Sequence, residues 1–335
     1  MKKIKLIAFL FIATLASNAT VRTVNNNGGA QFTDLPSAIT AAVSGDTIYV
    51  CGSATAYSGT ITTKTNLVFI GAGYNPQKQN PVKTNVSGSW YIGNGNTVSG
   101  FEINNIGNSS STMTNVKISR CKLGPLNGAI TYVNCMFDNC LLSTIVSAPF
   151  SSSTFNGLIF SNCLFHATTT TSIINVCVIS GNLTFDHCAF IKEGGAINLS
   201  NTNMGSSGGV FTNNIFVNII PPTSGTNYQY TSNYSSANLS AYGSGNIVYS
   251  TWPFVTPQAS VTGTFQFTWD FHLTAGSPLI TAGTFGTEIG LYGGPVPFIP
   301  SGEPPVPQID IMMLNGTQFT PGGTMGVQFQ STIGN

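Results

Sequence analysis

Ten carboxylates, three histidines and eleven lysines and arginines are nearly all the acid–base chemistry that these 335 residues carry. Between Val86 and Ser250 the acids are Glu102, Asp138, Asp186 and Glu193, and the bases are Lys117, Arg120, Lys122 and Lys192. Asp138 and Asp186 occupy one position of a phrase that the chain repeats, with Ser161 between them. Two rungs of a stacked sheet would hold their backbones about 10 Å apart. Glycoside hydrolysis needs carboxyls about 5 Å apart for retention and about 6.5 to 9.5 Å for inversion. The pair is therefore marginal for inversion, and retention would require the side chains to lean together. The expectation is a solvated polar face: Asp138, Ser161 and Asp186 line it, Lys192 and Glu193 sit at its edge, and a sugar would contact it there.

Other chemistry is scarcer still. His166 and His187 fall in adjacent repeats at different offsets from their cysteines, and four residues along a strand span about 13 Å, too far for a shared zinc. His187 takes a position that asparagine holds in neighbouring repeats, which predicts a turn role. His272 has no partner nearby in the sequence. Gly71-Ala72-Gly73 and the stretch Gly205 to Gly209 open no helix, so they read as turns and not as phosphate cradles. No catalytic residue, metal or cofactor is expected.

Composition narrows the classes. Charged residues make up 6% of the chain, against about 25% in an average soluble protein. That excludes a nucleic-acid footprint and helices laced by Glu–Lys pairs. Lys2, Lys3 and Lys5 precede the apolar run Leu6 to Leu15, followed by Ser17-Asn18-Ala19, which is the order of a secretory signal peptide. A run of ten is half of the roughly 20 residues that span a bilayer, so residues 1–19 are expected as a leader, with no transmembrane segment after it. Cleavage there leaves eight basic and ten acidic groups, a net charge of about −2 that steers no partner strongly.

The elements that must position these residues come from the repeat. Lys117-Ile118-Ser119-Arg120-Cys121-Lys122-Leu123 is echoed by Met136 to Leu142, Ile159 to Phe165, Thr184 to Phe190 and Val210 to Phe216, at steps of 19, 23, 25 and 26 residues. Alternation along a strand turns Ile118, Phe137, Phe160, Phe185 and Phe211 to one side and Ser119, Asp138, Ser161, Asp186 and Thr212 to the other. Stacking at about 4.8 Å per rung makes the first set an interior column. Cys121, Cys140, Cys163, Cys188 and Asn214 form a second, inward ladder of buried, reduced thiols ending in an amide.

The phrase resembles the repeat of right-handed parallel β-helix proteins of the pectin-lyase-like superfamily. Phe32 to Ile39 and Gly45 to Val50 resemble that superfamily's opening segment, where a capping helix leads into the first coil. Asp34 can cap such a helix, with Ile39 and Val43 on one face. Trp269 to Leu273, Gly276 to Ile280 and Gly286 to Gly294 look like its closing coil, with Glu288 in place of the usual Asp. The resemblance spans about residues 21 to 294. It implies an all-β, right-handed parallel β-helix over residues 20–294, with about ten coils by the spacing. Residues 295–307, with six prolines, read as an extended linker. Residues 308–335 read as a short β-strand extension, with strand-like runs Ile309 to Leu314 and Met325 to Gln330.

Lyases of that superfamily use acidic calcium ligands with an Arg or Lys base, and its hydrolases cluster Asp on adjacent coils. Here only Asp138 lies near Lys117, Arg120 and Lys122, so these bases read as a basic rim. The expected function is an exported, noncatalytic rod that binds polysaccharide or surface glycans. A polysaccharide lyase or glycoside hydrolase is the alternative. A further alternative is a fibre protomer that self-associates through its C-terminal strands.

Overall fold

Alternation in the repeated phrase is realised as register. Ile48, Phe69, Val98, Ile118, Phe137, Phe160, Phe185, Phe211 and Tyr230 succeed one another on parallel strands, and all are buried. From Phe137 to Tyr230 the rings stack, with centroids 5.1, 4.8, 5.1 and 4.8 Å apart. Ring spacing thus equals rung spacing, which parallel pairing dictates. The computed structural model describes residues 19–75, 82–107, 111–124, 126, 130–143, 150, 151, 153–168, 172–175, 177–200, 208–223, 227–314 and 327–333. The expected leader lies outside them except for Ala19.

The chain is an all-β parallel solenoid of about eight turns. A first sheet runs from Val21–Val24 to Gln229–Thr231, and a second runs from Ile61–Thr62 to Ile247–Val248. Pairs such as Phe150–Ser151 with Ile174–Asn175 contribute further parallel ladder. The residues that close each phrase form the inner column of the second sheet, where Phe165, Phe190 and Phe216 stack at 4.6 and 4.8 Å.

Helix Leu35–Ala41 closes the N-terminal end. The Asp34 carboxylate accepts from Ser37 N at 2.8 Å, as an N-cap should, and Leu35, Ala38 and Ile39 are buried. Val43 is exposed, contrary to expectation. Backbone at Ala42 has already turned extended, so Ala42 takes the inward place and Val43 falls outside the helical face. Lys64 Nζ donates to Thr40 O at 2.7 Å and Ala42 O at 2.8 Å, satisfying carbonyls that the helix end leaves free. Among the described residues no helix is long and apolar enough to cross a membrane.

The C-terminal quarter departs from the expected closing coil. Residues 249–306 fold back as a strap over the outer face of the second sheet. The outer column of that sheet explains why: it reads Glu102, Lys122, Leu141, Leu164, Ala189, Ile215 and Tyr234 in register. Its polar start is satisfied by ion pairs, with Glu102 paired to Lys83 and Lys122. Its apolar remainder needs cover, and Phe254, Val261, Phe265, Phe271, Leu279, Leu291 and Phe298 of the strap supply it as a second core. A coil spent as a strap is one reason for fewer turns than the ten expected. The Pro-rich stretch runs along the rod: Ser301 O accepts from Tyr74 N at 3.2 Å, and Phe298 is buried. Strands Pro307–Leu314 and Val327–Ile333 then pair antiparallel with each other.

Candidate functional site

From Arg120 onward the coils pass from the first sheet to the second through one residue of left-handed backbone. Arg120, Asn139, Asn162, His187, Asn213 and Ser232 hold this place, with φ between 48° and 57°. Asparagine tolerates that conformation better than most residues, which accounts for its recurrence. The side chains of Arg120 and the three asparagines reach outward and grip the strap. Asn139 donates Nδ2 to Val296 O at 3.0 Å and accepts from Ile299 N at 2.7 Å. Asn162 Nδ2 donates to Leu291 O at 2.8 Å and Gly293 O at 2.9 Å. Asn213 holds both Thr284 Oγ1 and Thr284 N at 2.8 Å, and Arg120 Nη1 donates to Glu303 O at 2.6 Å. His187 has the turn position read for it, and a Cβ on Gly293 would meet its ring carbon at 2.5 Å, so only glycine lets the strap pass so close.

Just inside these corners lies the ladder of Cys121, Cys140, Cys163 and Cys188, buried and free as expected. Cys140 N donates to Cys163 Sγ at 3.4 Å. Asn214 continues the ladder, accepting from Cys188 N at 2.8 Å and donating to Phe185 O at 2.9 Å, and Asn233 repeats the pattern one coil on.

The anticipated polar face is divided. Asp138, Ser161 and Asp186 are in register on adjacent rungs. Asp138, however, is buried. Burial pushes its carboxyl up, against Asn139, Lys117 and Arg120 acting the other way. Ser161 Oγ donates to Asn162 Oδ1 at 3.0 Å. Asp186 alone of the two acids stays open, 3.0 Å from His187 Nδ1. Lys192 ends strand Ala189–Lys192 of the second sheet and Glu193 follows it, away from this column: Lys192 is buried with Nζ on Glu193 O at 2.6 Å, and Glu193 Oε2 accepts from Gly263 N of the strap at 2.6 Å. The solenoid therefore brings three of the five expected contact residues together and sets two apart.

Beside Asp186 the strap delivers a group that sequence reading missed. His272 Nδ1 lies 2.6 Å from Asp270 Oδ1, and the His272 ring stacks on Tyr292 with centroids 3.6 Å apart and planes at 10°. Partial burial would raise the Asp270 carboxyl, but the His272 amide and ring outweigh it and hold it below the usual carboxylate range. Glu288 goes the opposite way: burial pushes it up despite the fields of His272 and His187. Burial, with Asp270 and Glu288 adding to it, also raises the Tyr292 hydroxyl. On the same loop Phe285 is 104% exposed and sits in left-handed backbone at φ 59°. A loop closed by Gly283 N on Thr287 O at 2.8 Å fixes that presentation. His187 and His272 thus gather Asp186, Asp270, Glu288 and Tyr292 at the line where strap crosses corner, and Phe285 projects into solvent from the adjoining loop.

Such a group can stack on the C–H face of a sugar while carboxylates accept from its hydroxyls. Among the described residues no cluster of His, Cys, Asp and Glu is arranged to hold a metal ion. The visible signal was Asp270 and His272 two residues apart, but their neighbours arrive from positions 186, 187 and 288, which only the fold-back reveals. No protein-family model and no curated protein matches this chain.

Proposed function

We propose that this chain is an exported, noncatalytic β-helix protein of pectin-lyase-like kind that binds glycans outside the cell or at its surface. One observation carries the reading: a fully exposed Phe285 held in left-handed backbone, on the loop that also brings Glu288 into the fields of His187 and of the His272–Tyr292 stack. Left-handed backbone is costly for an aromatic residue, and strain of this kind on an exposed loop supports a ring presented for a stacking ligand. Among the described residues the charged groups acting on Asp270 and Glu288 are histidines, and such acceptors suit hydroxyl-rich, uncharged sugars. The leader-like residues 1–19 and the low charge of the remainder agree with an extracellular setting.

A second reading is favoured by one feature. Neighbouring carboxyls driven apart, Glu288 upward and Asp270 downward, are how hydrolases separate an acid from a base. Incubating the mature protein with a panel of polysaccharides, and following retention, reducing ends and unsaturated products, separates the two. Retention without products is expected. Products abolished by Glu288→Gln with retention intact would make the protein a hydrolase, and retention by no member of the panel would overturn glycan binding.

A further inference from the structure

Residues 253–274 of the strap form a closed lobe. Phe254 and Leu273 bridge antiparallel at its neck, where Val255 N donates to His272 O at 2.9 Å, Thr256 N to Asp270 O at 3.0 Å and Thr274 N to Pro253 O at 2.9 Å. Its underside is aromatic and rests on the second sheet. Under it lies His166, fully buried, with Trp269 at 5.2 Å and Phe265 at 6.2 Å between ring centroids. Among the described residues neither His166 nitrogen has a hydrogen-bond partner. A buried imidazole with no acceptor for its N–H is the least satisfied titratable group in this interface, and a side chain serving only to fill space would be apolar.

We propose that the lobe is an acid-released lid: protonation of His166 unseats it from the second sheet, and because the lid carries Asp270 and His272, glycan is let go. The inference rests on the glycan site proposed above.

The charged groups around His166 do not rescue its cation. Just past the neighbouring strand, Glu193 favours the charged form, but its Oε2 is engaged by Gly263 N of the lid. Lys192, adjacent to Glu193, turns its ammonium to the Glu193 carbonyl. On the lid, Asp270 is taken by His272, and Lys122 sits 5.7 Å above the Phe267 ring. Burial consequently lowers the His166 pKa from 6.5 to about 4 while the lid is down. With the lid up the imidazole meets water and regains its ordinary value. The closed state is thus fully favoured above pH 6.5, and its advantage shrinks about tenfold per unit as pH falls toward 4, roughly two orders of magnitude in all.

Trp252 and Trp269 belong to the strap and Trp90 to the solenoid core, so tryptophan emission of the full mature chain reads the lid. Emission should shift to the red between pH 6.5 and 4 while far-UV circular dichroism holds, and retained glycan should elute in the same window. His166→Leu should keep the neutral-pH spectrum and lose the shift; His166→Gln, which cannot titrate, serves if the leucine variant does not fold. An unchanged midpoint in the variant that folds would overturn the lid, as would strand signal lost together with the emission shift. Glycan held equally at pH 7 and pH 4 refutes acid release and leaves glycan binding standing. No retention at pH 7, with the shift intact in the parent and lost in the variant, refutes glycan binding and keeps the lid.

Discussion

Phe185→Ala should cost about 3 to 5 kcal/mol, the range for truncating a buried phenylalanine. The ring is 1% exposed and stacked between Phe160 and Phe211, and it meets Phe190 edge-on at 5.3 Å. Stacked identical rings cannot collapse into the gap without breaking register, so the cavity term is kept. Because coils contact only their neighbours, the damage should be local. Hydrogen exchange should rise most in Thr154–Ser161, Leu183–Asp186 and Val210–Thr212, leaving Thr47–Val50 protected. Uniform loss of protection, or a denaturation midpoint shift worth under about 1 kcal/mol, would show that the column does not carry the stability assigned to it.

Asn214→Ala should be comparably damaging for a different reason. Its amide satisfies Cys188 N and Phe185 O and also donates to Asn233 Oδ1 at 3.0 Å, all within the interior. Alanine leaves two backbone groups buried and unpaired, at about 1 to 3 kcal/mol each. Asn214→Cys offers an instructive contrast, since thiols occupy this place on the preceding rungs and Cys163 Sγ accepts from the Cys140 amide. Urea denaturation should place the cysteine variant well above the alanine variant. Equal loss in both would mean that volume, and not hydrogen bonding, governs the ladder.

What could be read in advance follows from the range of the interactions involved. The inner columns were legible because strand alternation and a repeat of 19 to 26 residues leave one way to bury Phe137, Phe160 and Phe185. Asp34 was legible as a cap because capping is local. Val43 was misplaced because one extended residue, Ala42, ends the helical period early. The strap was written more faintly: Glu102 and Lys122 give way to Leu141, Leu164 and Ala189 at one outward position, which signals a covered face but not its cover. Of the site, Asp186 was found by its place in the repeat. The burial of Asp138, the separation of Lys192 and Glu193, and the meeting of Asp270, His272, Glu288 and Tyr292 with the corner all depend on contacts between distant parts of the chain. No local pattern encodes those.

Retention of the mature protein on the polysaccharide it binds best, measured beside Phe285→Ala, bears most directly on the site where strap crosses solenoid. Phe285 is fully exposed, so its loss should change stability by no more than about 0.5 kcal/mol. A stacking platform predicts affinity reduced about tenfold, the worth of roughly 1.4 kcal/mol. Equal retention of the two proteins would contradict a glycan site at this crossing.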